Sequence, residues 1–171
     1  GIEVIHRRSK GLLDFVENYR RLTRVAPPVK NKISIKDFFS DLKKLFPQPF
    51  ISFNLKNEGL YFYADRSQME QVFINLIKNA IEACASKENP AIGISAKMEQ
   101  DKIIFSVSDN GEGILPEVMD RIFIPFFTTR HSGSGIGLSL CRQIITMHGG
   151  SIYANSEDGK GSRFIVELES V

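Results

Sequence analysis

The residues Asp109 to Ile114, D-N-G-E-G-I, set a carboxylate beside two glycines. An ionised carboxylate accepts hydrogen bonds and donates none. It therefore suits the exocyclic amine of adenine and not the carbonyl that guanine carries at that edge. Gly111 and Gly113 let backbone approach a flat base closely. Alone, the segment is also a common turn sequence. Upstream, Asn75, Asn79 and Glu82 fall at i, i+4 and i+7 of N-L-I-K-N-A-I-E and share one stripe of a helix. Asparagine gains nothing in a helix interior. Two on one stripe either bond neighbouring loops or offer amide oxygens to Mg²⁺, which takes its other oxygens from phosphates and water.

Downstream lies F-I-P-F-F-T-T-R, Phe123 to Arg130. Its apolar residues either pack one edge of a pocket or anchor a flexible lid, and Thr128, Thr129 and Arg130 supply hydroxyls and a cation for phosphates. Then Gly133-Ser134-Gly135-Ile136-Gly137-Leu138 opens a helix, whose free N-terminal amides suit phosphate oxygens. This differs from a dinucleotide fingerprint, because a polar loop and not a strand precedes it. A P-loop is excluded too: the Gly-Lys pair Gly159-Lys160 is followed by Gly161 and lacks the earlier glycine. His6, His131 and His148 share no ligand spacing, and no nucleophile triad is visible.

The elements that must position these groups follow from periodicity. An amphipathic helix with a 3-4 rhythm of Ile2, Ile5, Ser9, Leu12, Val16, Tyr19 and Thr23 opens the chain, and Pro27-Pro28 cut it off. Its spacing predicts a seam with a helix of another chain, or else packing on its own domain. A short strand at 33–35, a helix at 37–46 and strands at 50–55 and 60–63 come next. A long helix runs to about Ser86, with Ser67 as N-cap and Glu70 completing a capping box. Alternating residues predict a hairpin of 92–98 with 103–108, and another of 152–156 with 163–169. Between them, a helix from about Gly135 ends at Gly149-Gly150. The sum is a two-layer α/β sandwich: a mixed, mostly antiparallel sheet with helices on one face, preceded by an N-terminal helix.

The chain has 171 residues, 42% of them hydrophobic and 25% charged, in the range of an ordinary soluble protein. A net charge of +2 argues against a nucleic-acid binder. Arg7, Arg8, Lys10, Arg20, Arg21 and Arg24 cluster early, as a solvated helix face or a site for an acidic partner. No apolar run reaches the length of a membrane span, and no signal peptide is visible. Cys84 and Cys141 fit core thiols of a reduced, cytoplasmic protein. The chain starts mid-helix without Met and reads as part of something longer, whose membrane contact, if any, lies upstream.

Together the motifs resemble the catalytic, ATP-binding domain of bacterial two-component sensor histidine kinases, in the wider family of DNA gyrase, the ninety-kilodalton heat-shock chaperone and mismatch-repair ATPases. Asn75 to Ala83 resembles the N box, Asp109 to Gly113 the G1 box, Phe123 to Phe127 the F box and Gly133 to Leu138 the G2 box, while Gly161, Ser162 and Phe164 resemble the closing strand motif. The resemblance implies a Bergerat ATP-binding fold with ATP and Mg²⁺ as cofactors. Asn79 would hold Mg²⁺. Asp109 would bind adenine, with Ser162 behind it, and Ile114 and Ile124 would line the base. Asn75, Gly111, Gly113, Thr128, Thr129, Arg130, Gly133, Ser134 and the backbone from Gly135 through Ile136 and Gly137 to Leu138 would complete the nucleotide site under a lid. Glu82 departs from the frequent Lys or Arg, and Arg130 replaces a frequent Lys. Asn75 stands where the hydrolysing ATPases have a Glu base, which favours phosphoryl transfer over water activation.

The first helix resembles the second helix of the dimerisation and phosphoacceptor hairpin of nitrogen-regulation-type kinases. This implies residues 1–26 as that helix, 27–31 as linker and 32–171 as the catalytic domain. It also implies a homodimer through the helix and a response-regulator receiver as partner. His6 is followed by Arg7-Arg8, not by an acidic residue. The accepting His is therefore expected on a helix before Gly1. A protein serine kinase of the same superfamily, and a non-catalytic nucleotide-sensing docking module, remain as alternatives.

Overall fold

The computed structural model describes residues 1–128, 135–157 and 159–170. Helix α1, Ile2–Thr23, comes first, followed by strand β1, Asn31–Ser34, helix α2, Ile35–Leu45, and strands β2, Ile51–Leu55, and β3, Tyr61–Ala64. Helix α3 is Arg66–Ala83, and the hairpin is β4, Ile92–Glu99, with β5, Lys102–Asp109. A short helix α4, Pro116–Met119, precedes α5, Gly137–Met147, and β6, Ser151–Glu157, pairs with β7, Gly161–Glu169. The five-stranded sheet runs β2-β4-β5-β7-β6, with β2 parallel to β4 and the other pairs antiparallel. β1 and β3 form a separate two-stranded ribbon.

Alternation decides which sheet face is covered. Ile92, Ile94 and Ala96, Ile103, Phe105 and Val107, and Phe164, Val166 and Leu168 point into the core beneath α2, α3 and α5. The other face carries the hydroxyl pair Ser95–Ser106 at 2.6 Å and the polar row of Ser108, Arg163 and Asn155. At the centre, Phe105 meets Phe62 and Phe73 edge-on, both at 5.1 Å between centroids, and Phe38 meets both of those rings at 5.4 Å. The β4–β5 turn places Gln100 and Asp101 at φ of 51° and 63°, the positive pair that a two-residue hairpin needs.

The start of α3 corrects the sequence reading. Asp65, not Ser67, is the N-cap: its carboxylate accepts from the Gln68 amide at 3.2 Å, and the Ser67 hydroxyl merely donates to that same carboxylate. The cap sits earlier because distant groups hold Asp65. Its other carboxylate oxygen accepts from the Val29 amide at 3.0 Å, and its own amide donates to His148 Nε2 at 3.0 Å. Lys30 Nζ reaches the His148 carbonyl at 3.4 Å, and Gln68 Nε2 reaches the Ala26 carbonyl at 2.8 Å. The segment between α1 and β1 is thus fastened to the joint between α3 and α5.

His148 Nδ1 lies 2.8 Å from the Ile144 carbonyl and donates to it, so Nε2 is free to accept. That arrangement requires neutral imidazole. Burial pushes the His148 value below its ordinary 6.5. Backbone donation from Val29 holds Asp65 below its ordinary 3.8. Both groups bind fewer protons folded than unfolded, so both stabilise less as pH falls. The His148 contribution, full above 6.5, fades from there downward; that of Asp65, present above 3.8, fades below it. Melting temperature is expected to drop between pH 7.5 and 5.5, and His148→Gln to flatten that part of the curve.

Candidate functional site

The strand ends, the end of α3 and the start of α5 meet on one side of the sheet. Asp109 closes β5 opposite Ser162 of β7 and is 8% exposed. Its Oδ1 accepts from the Gly111 amide at 2.9 Å and the Ser162 amide at 3.4 Å, and its Oδ2 from the Ser162 hydroxyl at 2.9 Å. An ionised carboxylate has about four acceptor sites, so Oδ2 keeps capacity for one more donor. Gly111 lies against α3: a Cβ there would collide with the Ala83 carbonyl, and the adjacent Glu112 amide donates to that carbonyl at 3.2 Å. Gly113 turns the loop at φ of 77°. Ile114 is half-buried against the core, whereas Ile124 is half exposed.

On α3, Asn75 and Asn79 are half-buried and Glu82 is exposed, so the stripe expected from spacing points to the open side. Asn75 comes within 4 Å of where a Cβ on Gly137 would sit, at the first residue of α5. Its buried Nδ2 has no nitrogen or oxygen acceptor among the described residues and lies toward the Cys141 sulfur. α5 begins at Gly137, two residues later than expected, with Ile136 as N-cap and no side-chain cap. Among the described residues no side chain caps its first amides, which would suit an anion. Ile136 itself is buried in the core, so it and Leu138 contribute backbone here. Cys141 ties α5 to α3 through a contact with the Val72 carbonyl at 3.6 Å, and burial pushes its thiol up to about 12.

The Phe-rich segment divides its labour. Phe123 packs on Phe164 and lies under the Arg142 guanidinium at 3.8 Å, which also donates to the Ile152 carbonyl. Phe126 instead stacks on Phe15 of α1, at 4.9 Å and 28°. It holds φ of 67° and donates its amide to the Gly135 carbonyl at 2.7 Å; a Cβ on Gly135 would strike the Phe126 backbone. One bond thus ties together the two ends of the segment between them. Thr128 is exposed. Thr129, Arg130, Gly133 and Ser134, also expected at the site, lie outside the described residues.

No group of three His, Cys, Asp or Glu able to hold a metal occurs among the described residues. Asn79 fits Mg²⁺ as a single hard oxygen ligand to an ion that arrives with phosphates, not as part of a protein cage. An open depression of about 360 Å³ adjoins the strand ends, bordered by Ser108, Asp109, Asn155, Ser156, Lys160, Gly161, Ser162 and Arg163. Within it the row of Ser108, Arg163 and Asn155 faces away from the core, while Asp109 and Ser162 border it from the core-facing side of their strands. Sequence reasoning missed Ser156, Arg142 and the His148–Asp65 pair, since their partners lie far off in sequence.

Residues 64–171 match the family described as histidine kinase-, DNA gyrase B-, and HSP90-like ATPase. Sporulation kinase E of Bacillus subtilis (strain 168) is 40% identical over 106 residues, which is 62% of this chain and 14% of that protein. The catalytic domain of histidine kinase ThkA superposes with a TM-score of 0.74 at 36% identity, covering 83% of this chain and 96% of that one. ThkA in complex with response regulator protein TrrA matches at 0.77 and 31% identity, over 99% of this chain and 50% of that one. The chain spans only 14% of the length of sporulation kinase E and 24% of that of sporulation kinase A, both of Bacillus subtilis (strain 168).

Proposed function

We propose, on the premise that this chain belongs to the histidine kinase-, DNA gyrase B- and HSP90-like ATPase family, that it binds Mg·ATP as the donor part of a two-component sensor histidine kinase and passes the γ-phosphoryl to a histidine. The observation that carries this is Asp109. A buried carboxylate with three protein donors and spare capacity on Oδ2 is built to select an amine on a flat base. The start of α5 and the Asn75 side chain beside Gly137 would take the phosphates. Thr128, Thr129, Arg130, Gly133 and Ser134 would complete that cradle, with Ile114 and Ile124 flanking the base. Mg²⁺, held by Asn79 and the phosphates, would neutralise charge as it develops on the transferred group. Asn75 is too weak a base to activate water, which favours transfer over hydrolysis.

The acceptor would come from outside these residues, since His6 precedes Arg7, His131 precedes Ser132 and His148 precedes Gly149. Residues 1–26 would be the second helix of an acceptor hairpin, 27–31 a linker and 32–171 the catalytic domain. α1 supports this: Ile2, Ile5, Leu12 and Leu13 are each more than 60% exposed, an apolar stripe that a second copy would cover. By analogy with the ThkA complex, a receiver domain is the next partner. The work would be done in the cytoplasm, where ATP is supplied; no described helix is long and apolar enough to cross a membrane.

Incubating the chain alone, and the protein extended through its upstream helix, with γ-labelled Mg·ATP tests this. The extended protein should acquire an acid-labile label that a receiver removes; the chain alone should take up none and hydrolyse ATP slowly at most. An acid-stable label would favour serine transfer. Absence of ATP binding by calorimetry would favour a docking module.

A further inference from the structure

The loop that carries Asp109 takes its shape from its neighbours. Asn110 and Glu112 donate their amides to the Ala91 and Ala83 carbonyls, both at 3.2 Å, and the Glu112 carbonyl accepts from the Gly159 amide at 2.8 Å. The Ile114 amide, next to the positive-φ Gly113, meets a side chain instead: the Ser156 hydroxyl at 2.6 Å. That hydroxyl donates onward to the Gly161 carbonyl at 2.9 Å. Gly161 holds φ of 100° and lies so close to the Asp109 carbonyl that a Cβ would collide with it. Ser162, one residue on, gives Asp109 two of its three bonds. Across the hairpin Ser156 pairs with Ser162 itself, so both hydroxyls lie on the core face of neighbouring strands.

These contacts form a closed ring: Asp109, the loop to Ile114, Ser156, Gly161, Ser162, and back to Asp109. Ser156 is the member that joins the Ile114 end of the loop to the hairpin through a side chain. Its oxygen accepts and its hydrogen donates at the same time, which a hydroxyl does and a methyl does not. We propose that Ser156 is a positioning residue for base recognition, holding Ile114 and Gly113 at a fixed spacing from the Asp109 carboxylate so that the gap admits adenine. This rests on the reading of Asp109 as the adenine acceptor. Ser156 need not touch the nucleotide; it acts through the Ile114 amide and through Gly161.

The test uses the 171-residue chain with Ser156, Ser156→Ala and Ser156→Thr, each titrated calorimetrically with Mg·ATP, Mg·GTP and magnesium tripolyphosphate. Ser156→Ala should weaken ATP binding about 5- to 20-fold, the loss of one well-placed bond and its alignment. It should shrink the ATP-over-GTP preference and leave tripolyphosphate within about twofold, because the phosphate end lies on α3 and α5. Ser156→Thr keeps the hydroxyl and should restore ATP affinity to within about threefold. Amide exchange at Ile114 should quicken in the Ala variant alone. Unchanged ATP affinity in Ser156→Ala would overturn the proposal. So would an equal loss of tripolyphosphate, which would make Ser156 a general brace of the fold. If the unaltered chain binds tripolyphosphate but prefers neither nucleotide, the reading of Asp109 fails first, and this inference with it.

Discussion

Replacing Asp109 with Asn is expected to weaken ATP binding at least about tenfold while the fold stays assembled. The new side chain can keep its oxygen where Oδ1 accepts from the Gly111 and Ser162 amides. Its NH₂ then occupies the place of Oδ2, where the Ser162 hydroxyl can rotate and accept instead of donating. The internal bonds survive, but the base amine now faces a donor. Losing a buried hydrogen bond to a charged acceptor costs about 1.5–3 kcal/mol, or roughly 10- to 150-fold in affinity. Guanine presents a carbonyl at that edge, so GTP should gain relative to ATP. Competition titrations with both nucleotides measure the ratio. A ratio that does not move would mean that Asp109 only braces its loop.

The second large effect concerns stability. Phe105 is fully buried on the central strand β5 and packs against rings from α2, β3 and α3, namely Phe39, Phe62 and Phe73. Phe105→Ala removes the ring all three share, and none of those elements can close the gap without leaving another. The expected cost is about 3–5 kcal/mol, a large part of the roughly 5–15 kcal/mol that holds a domain of this kind. Melting should fall by roughly 10 °C or more. Tyr153→Ala, on the polar face of edge strand β6, should cost under about 1 kcal/mol. Equal losses for the two would mean that the ring cluster is not the centre of the core.

What the sequence made legible is what local pattern encodes. Alternation placed Ile103 to Ser108 on a strand, and the 3.6-residue period put Met69, Val72, Phe73, Leu76 and Ile77 on the buried side of α3. Asp109 could be placed at a strand end because the alternation stops there and glycines follow. Pairings between distant segments were not legible. Nothing local says that Ser162 serves Asp109 across 53 positions, or that His148 fixes the cap of α3 across 83. The Ser67 cap failed for that reason: Ser67 with Glu70 fits the local rule, but His148 and Val29 hold Asp65, and the helix starts there. Likewise β1 and β3 read as members of one sheet, since a short alternating run carries no label for its partner. Arg142 over Phe123 gave no signal either, because an exposed arginine on a helix has many ordinary reasons to be there.

The fastening of the stretch after α1 has a mechanical consequence. The Arg24 amide still bonds back to Arg20, Val25 already packs on the core, and Ala26, Val29 and Lys30 are each bonded to the α3–α5 joint. The rotations left to a pivot are therefore those around Arg24. α1 is then a stiff lever, about 33 Å long for its 22 residues, with its fulcrum at one end. A tilt of about 10° at that fulcrum carries the far tip through roughly 6 Å, close to one helical turn. The Phe15–Phe126 stack sits part-way along the arm, where such a swing must make or break it. A push on the far tip of α1 would thus be taken up at Arg24 and at the Phe15–Phe126 stack before it reached the stretch fastened to the α3–α5 joint.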